Sequence, residues 1–197
     1  VSNQGFADIS MIEPEASSTC EVLYKTMDAD RISRSVAECI YTGIIHDTGV
    51  FKYSCTSKTT MAVAGEMMEK GIDYTDIIDN SFYAKTYVQN QILGRALLES
   101  VVFYDGKCIF SVVTQREMEF YGVTGRELGG IVEQLRLTDG VEVAIFMYEV
   151  GEDEYKVSMR SKKQIDVAAI AAEFGGGGHV RAAGYTAKGT VHQIINC

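Results

Sequence analysis

Three short stretches hold the residues whose types and spacing can do chemistry. The first is FGGGGHVRAAG at 174–184, four glycines followed by one of only three histidines in the chain. Glycines without Cβ atoms let a backbone approach a ligand and turn its N–H groups toward an anion, and a following helix N-terminus would add partial positive charge. Gly176 and Gly177 with His179 therefore read as a phosphate or carboxylate cradle, the imidazole donating to an anionic oxygen or carrying charge near its ordinary pKa of about 6.5. The rival reading is a flexible linker, but linkers carry serine or further glycine on both sides, whereas this run is followed by compact, alanine-rich sequence. The second stretch, EYKVSMRSKK at 154–163, places Ser158, Arg160 and Lys162 on one face of a strand and Tyr155, Val157 and Met159 on the other. Arginine's planar fork grips phosphate bidentately, so Arg160 is the leading cation; Lys162 and Lys163 read as solvated charge. Arg181, two residues past His179, faces either the same site or solvent. The third is HDTGVF at 46–51, in which Asp47 followed by Thr-Gly can present a carboxylate to a metal ion or serve as an ordinary cap. Only His46 adjoins it, and a metal-dependent hydrolase needs several hard ligands.

These stretches must be positioned by folded elements, and the composition allows them. The chain has 197 residues, 46% of them hydrophobic, enough for one large or two small domains. With 27 acidic against 18 basic residues, a general grip on duplex DNA is excluded as an expectation, and any nucleotide must be held in a local basic pocket. Five cysteines without CxxC spacing read as thiols of a reducing compartment, which makes the cytoplasm the default. No apolar run approaches the roughly 20 residues of a membrane span, so no membrane partner is expected.

Along the chain, a strand is expected at Ala7–Ile12, then a helix behind a Ser18/Glu21 capping box, a helix with Ile32, Val36, Ile40 and Ile44 at helical spacing, and a third behind Thr56 or Ser57 that closes at Gly71. A continuous helical pattern from Asp79 to Glu99 reads as a connector. Beyond it, Asp105-Gly106 joins two strands in a hairpin; ELGGIVEQLRL reads as a helix, VEVAIFMYEV and EYKVSMRS as strands either side of a GED turn, and 166–174 as a last amphipathic helix before the glycines. The fold class is α/β with two domains. The expected boundaries are 1–82 for the first, 83–100 for the connector and 101–197 for a smaller α+β domain.

Together, TGIIHDTGVF, KVSMRS and GGGGHVRAAG resemble the DHH phosphoesterases, specifically the oligoribonucleases that also act as phosphatases on 3′-phosphoadenosine 5′-phosphate (pAp); EASSTCEVLY near the start resembles the segment that follows the family's Asp-His-His. GGGGH followed by AAG is the specific element. The resemblance implies a catalytic domain holding two manganese ions, a C-terminal substrate domain, and short oligoribonucleotides or pAp as partners. It makes Asp47 the last metal-ligand aspartate, Arg160 and Ser161 the substrate-phosphate pair, and Gly176, Gly177 and His179 part of the nucleotide motif. The strand periodicity favours Ser158 over Ser161, and both stay open. The family's earlier aspartates and its Asp-His-His are not matched, as if the chain began just after them, so the fragment itself is expected to be inactive and to bind no metal. A homodimer stays open. The reading from another class is a non-catalytic nucleotide or RNA-end module, like the related domains attached to alanyl-tRNA synthetase.

Overall fold

A computed structural model describes Gly5 and residues 7–196 of the chain, which separates into two compact units at Ala84/Lys85. Among its described residues the regular elements of the first unit are all helical: α1 (Thr19–Tyr24), α2 (Arg34–Thr48), α3 (Lys58–Glu69) and α4 (Tyr74–Ile78), with a 3-10 turn at Ala29–Arg31 and a π-helical turn at Asp79–Tyr83. Each helix starts on a side-chain oxygen that accepts from an otherwise orphaned backbone N–H: Ser18, Ser33, Ser57 and Asp73. Ile40, Ile44 and Ile45 on α2 pack against Val63, Ala64 and Met67 on α3, with Ile32 and Ile72 closing the ends. Each fully buried isoleucine contributes about 1.5–3 kcal/mol. Gly43 sits in the middle of α2 because a Cβ there would overlap Cys20 Sγ on α1; the weaker helix propensity is offset by close approach of the two helices.

Three expectations for this region are corrected. Ala7–Ile12 is not a strand: no neighbour pairs with it, and Ile9, Met11 and Ile12 are exposed. Ser18 caps α1 at Glu21 N, but the Glu21 carboxylate turns away to Ser17 and Thr60, so the box is half formed. The helical pattern over 79–99 is interrupted: the π-helical turn ends at Ala84 in extended backbone, and Thr86 opens a new helix with a full capping box to Gln89. Tyr83 and Tyr87, read as apolar positions of one helix, are both exposed.

The second unit is built on a six-stranded sheet of order β1-β2-β3-β4-β6-β5: β1 (Val101–Phe103), β2 (Cys108–Val113), β3 (Val143–Gly151), β4 (Glu154–Ser161), β5 (Gly177–His179) and β6 (Ala182–Lys188). All pairs are antiparallel except β2 with β3, whose connection carries α6 (Gln115–Tyr121) and α7 (Ile131–Arg136). The β1-β2 hairpin turns on Asp105 and Gly106, both with positive φ, as its sequence requires. ELGGIVEQLRL is helical only from Ile131, because Gly130 adopts a left-handed conformation and breaks the pattern.

One sheet face is covered at β2 and β3 by α5 (Tyr87–Leu98), α6 and α7, which bury Ile109, Val113, Ala144 and Phe146 with Ile92, Ala96, Ile131 and Leu135. The opposite face is covered at β3, β4 and β6 by α8 (Val167–Glu173) and α9 (Val191–Ile195), over Met147, Tyr155, Val157, Met159 and Ala183. The helices are thus staggered across the sheet. Coverage of the first face reaches β4 only through α7, leaving β4, β6 and β5 open on that side within this unit.

Candidate ligand-binding face

The open half of the first face is where the sequence motifs converge, and the strand register shows how. Residues directly opposite across an antiparallel pair project to the same face. One row across the sheet reads Ala144, Arg160, Ala182, His179, and the next reads Phe146, Ser158, Gly184, Gly177. Ala144 and Phe146 belong to the core beneath the covering helices, so the other members of both rows occupy the open side. Arg160 and His179 therefore stand two strands apart, about 10 Å between backbones, on either side of Ala182. Between them lies a furrow floored by an alanine and two glycines.

The polar groups on this face are free for a ligand. Arg160 is half-buried and folds back so that Nη1 donates to the Met159 carbonyl at 2.9 Å, leaving its other donors uncommitted. Among the described residues, the Ser158 hydroxyl and the His179 imidazole have no hydrogen-bond partner. An anion held between a guanidinium and an imidazole N–H over a floor of small residues is what this arrangement favours.

The glycines do different jobs. A Cβ at Gly176 would overlap the Gly184 carbonyl and lie 2.5 Å from Tyr185 Cβ, so this position is glycine because the chain passes hard against β6. Above Gly177 nothing lies within 4 Å, so its missing side chain keeps the furrow open. The run does not lead into a helix as expected: β5 forms directly and turns at Val180 and Arg181 into β6, so no helix dipole contributes here. β5 is instead an edge strand, with outward backbone groups outside the sheet ladder.

Other candidates lie apart from this face. Ser161, next to Arg160 in a strand, points the opposite way; it is buried, and its hydroxyl donates to Ile165 O at 2.7 Å. Arg181 donates to the same Ile165 carbonyl at 2.8 Å, pinning the β5-β6 turn to the loop before α8. Lys162 donates to Thr138 O. A larger depression of about 690 Å³ beside α5 and α6 is lined by Arg95, but that guanidinium is paired with both Glu99 and Glu117.

In the first unit, Asp47 and His46 are exposed in the last turn of α2. His46 turns to Ser81 Oγ at 3.2 Å and packs edge-on against Phe82. Burial, the Asp47 charge and Cys39 together push the Cys20 thiol up, so Cys20 beside Asp47 stays protonated. The chain's single Asp-x-Asp, Asp28 and Asp30, is spent on a cap, Asp28 accepting from Asp30 N. Among the described residues no group of three or more His, Cys, Asp or Glu side chains is gathered to hold a metal ion. These residues do not by themselves fit a two-ion site.

What the motif reading missed here is backbone strain. Gly49, Val50 and Phe51 all take positive φ, at 57°, 54° and 63°, and a β-branched residue in that region costs about 1–2 kcal/mol. The run is held by Val50 N to Ile45 O, Phe51 N to Thr48 Oγ1 and Tyr53 N to Thr48 O. Strain held this firmly right after Asp47 marks the segment as more than a helix end. Sequence offers one signal for it, a glycine stop followed by Val-Phe where another flexible residue would be expected.

Residues 105–195 match the DHHA1 domain model, and the open face lies within that match. Over nearly its entire length the chain is similar to proteins named bifunctional oligoribonuclease and PAP phosphatase. It is 29% identical over 190 residues to the bifunctional oligoribonuclease and PAP phosphatase NrnA of Thermus thermophilus, covering 95% of this chain and 56% of that protein. To the Bacillus subtilis protein of the same name it is 25% identical over 184 residues, covering 91% of this chain and 58% of the relative. An exopolyphosphatase-related protein from Bacteroides fragilis superimposes with a TM-score of 0.91 at 28% identity, covering all of this chain and 59% of that one. The chain thus spans a little over half the length of the curated relatives it matches. No helix among its described residues is long and apolar enough to cross a membrane.

Proposed function

We propose that this chain is the substrate-holding part of a DHH phosphoesterase that hydrolyses short oligoribonucleotides and pAp in the cytoplasm. The observation that carries the reading is the register that sets Arg160 and His179 on either side of a small-residue furrow, with Ser158 and Gly177 in the adjoining row. The names of the relatives supply the substrate class; the furrow supplies a reason for it. A terminal phosphate between Arg160 and His179 meets a guanidinium and an imidazole donor, and the Ser158 hydroxyl reaches the same anion from the next row. Strand ends carry such a phosphate, and the interior of a long duplex does not.

In this reading Ser158 is the hydroxyl that meets substrate, and Ser161 and Arg181 hold the turn behind it. Gly176 and Gly177 divide the work of packing and clearance. The two manganese ions belong to the proposal as well: they would supply Lewis-acid activation of the phosphoryl group and of water. Asp47 is the side chain this chain offers them, and further donors have to come from outside the described residues.

The test is calorimetric titration of pAp into the purified chain. Arg160→Ala and His179→Ala are each expected to weaken binding by about 1.5–3 kcal/mol, the range for hydrogen bonds to charged groups, with unchanged melting temperatures. Wild-type affinity in both variants would remove this face as the substrate site.

A further inference from the structure

The furrow continues past the residues that the motifs mark. The next row on the same face reads Tyr148, Lys156, Thr186. These three, with Ser158 and Gly184, line a pocket of about 400 Å³. We infer that this pocket is a second subsite that stacks the base of the adjoining nucleotide on Tyr148 and meets its phosphate with Lys156, so that the face reads two consecutive nucleotide units. The inference rests on the proposed function, because it assumes the first phosphate sits between Arg160 and His179.

The ring of Tyr148 is a fixed platform. It packs nearly parallel to Phe146, with centroids 6.3 Å apart and planes 29° apart, and a Cβ at Gly125 would lie 2.8 Å from its hydroxyl. It is only half-buried, so it is held by the core and still borders the pocket. Stacking on a ring that is already immobile loses little entropy. Gly184 leaves the floor between ring and cation open, and close strand packing keeps it a glycine, since a Cβ would lie 2.6 Å from the Val157 carbonyl.

The charge fits the same occupant. Lys156 is exposed and, among the described residues, has no hydrogen-bond or ion-pair partner; neither does the Thr186 hydroxyl. From the Arg160 row to the Lys156 row is four residues of β4, about 13 Å. Cations at both ends of a furrow of that length, with an aromatic ring beside one of them, suit a polyanion with a planar group better than a lone phosphate ester.

The experiment compares two probes on the purified chain: ribose 5-phosphate, which has no base, and the 5′-phosphorylated diadenylate pApA. Tyr148→Leu is expected to weaken pApA about tenfold or more, to leave ribose 5-phosphate unchanged, and to be rescued by Tyr148→Phe. Lys156→Glu, at an exposed position with no fold role, is expected to weaken pApA more than ribose 5-phosphate and serves if the tyrosine variant does not fold. If neither variant separates the two probes, the second subsite is wrong, and the Arg160 site stands if Arg160→Ala still weakens both. If Arg160→Ala and His179→Ala leave both probes at wild-type affinity, the proposed function itself falls.

Discussion

Valine at Gly177 is expected to abolish pAp binding while leaving circular dichroism and melting temperature close to wild type, and valine one residue earlier, at Gly176, is expected to do the reverse first: unfold the hairpin. At Gly177 no atom lies within 4 Å of an added Cβ, so the side chain enters empty space, and that space is the furrow between Arg160 and His179. At Gly176 the added atoms run into the Gly184 backbone and Tyr185, which is itself stacked on Phe174 at 4.8 Å. Overpacking against backbone costs about 1–3 kcal/mol for the first methylenes, and here the obstacle is a strand that cannot yield without losing its pairing to β4. Thermal melts and calorimetry on the two variants check this. Equal melting temperatures in both would mean that the glycines are interchangeable and the furrow is misassigned.

Replacing Glu21 with alanine should destabilise the first unit by about 2–4 kcal/mol, because a buried acceptor of charge-assisted hydrogen bonds would be removed. Glu21 is buried; its carboxylate accepts from Ser17 Oγ at 2.5 Å and Thr60 Oγ1 at 2.7 Å, and Lys25 stands 3.8 Å away. Thr60 lies in the first turn of α3, so this one carboxylate ties the start of α1 to the start of α3. Burial alone would oppose its ionisation, but the hydrogen bonds from Ser17 and Thr60 and the charge of Lys25 outweigh it and hold the carboxyl below the usual range. A carboxyl depressed on folding contributes stability that is fully present above its unfolded value of about 4.3 and is lost as pH falls through the folded value. The stability gap between wild type and Glu21→Gln should therefore be constant from about pH 5 to 8 and close below about pH 4. Denaturant melts across that range measure it, and a gap that persists unchanged into strong acid would show that the charge is irrelevant.

Much was legible in the residues themselves. Ser18 and Ser57 announce helix starts because a short side chain with an oxygen is what an orphaned N–H needs, and that need is local. Asp105-Gly106 announces a hairpin because the turn demands positive φ. The alternation through Tyr155, Val157 and Met159 identified the buried face of β4 and, with it, the side on which Ser158 and Arg160 lie. Motif and family likeness pointed to the same residues. The capping box at Thr86 and Gln89 was missed, because the longer apolar pattern running through it obscured the break.

What only the tertiary structure decided is which residues of separate strands meet. Periodicity assigns a side chain to a face of its own strand, but the register of 154–161 against 182–188, and of 177–179 against the latter, is set by hydrogen bonds between distant segments and by the clearance available at Gly176 and Gly184. A slip of one residue would send His179 to the opposite face and close the furrow. The glycine run looked like a helix-terminal anion site because glycines, a histidine and alanines are compatible with one; an open place beside β6 made it an edge strand instead. The sequence determined the chemistry available to this protein, since residue types carry charge and clearance wherever they lie. Long-range strand pairing determined its geometry, because no local rule places Arg160 and His179 on either side of Ala182.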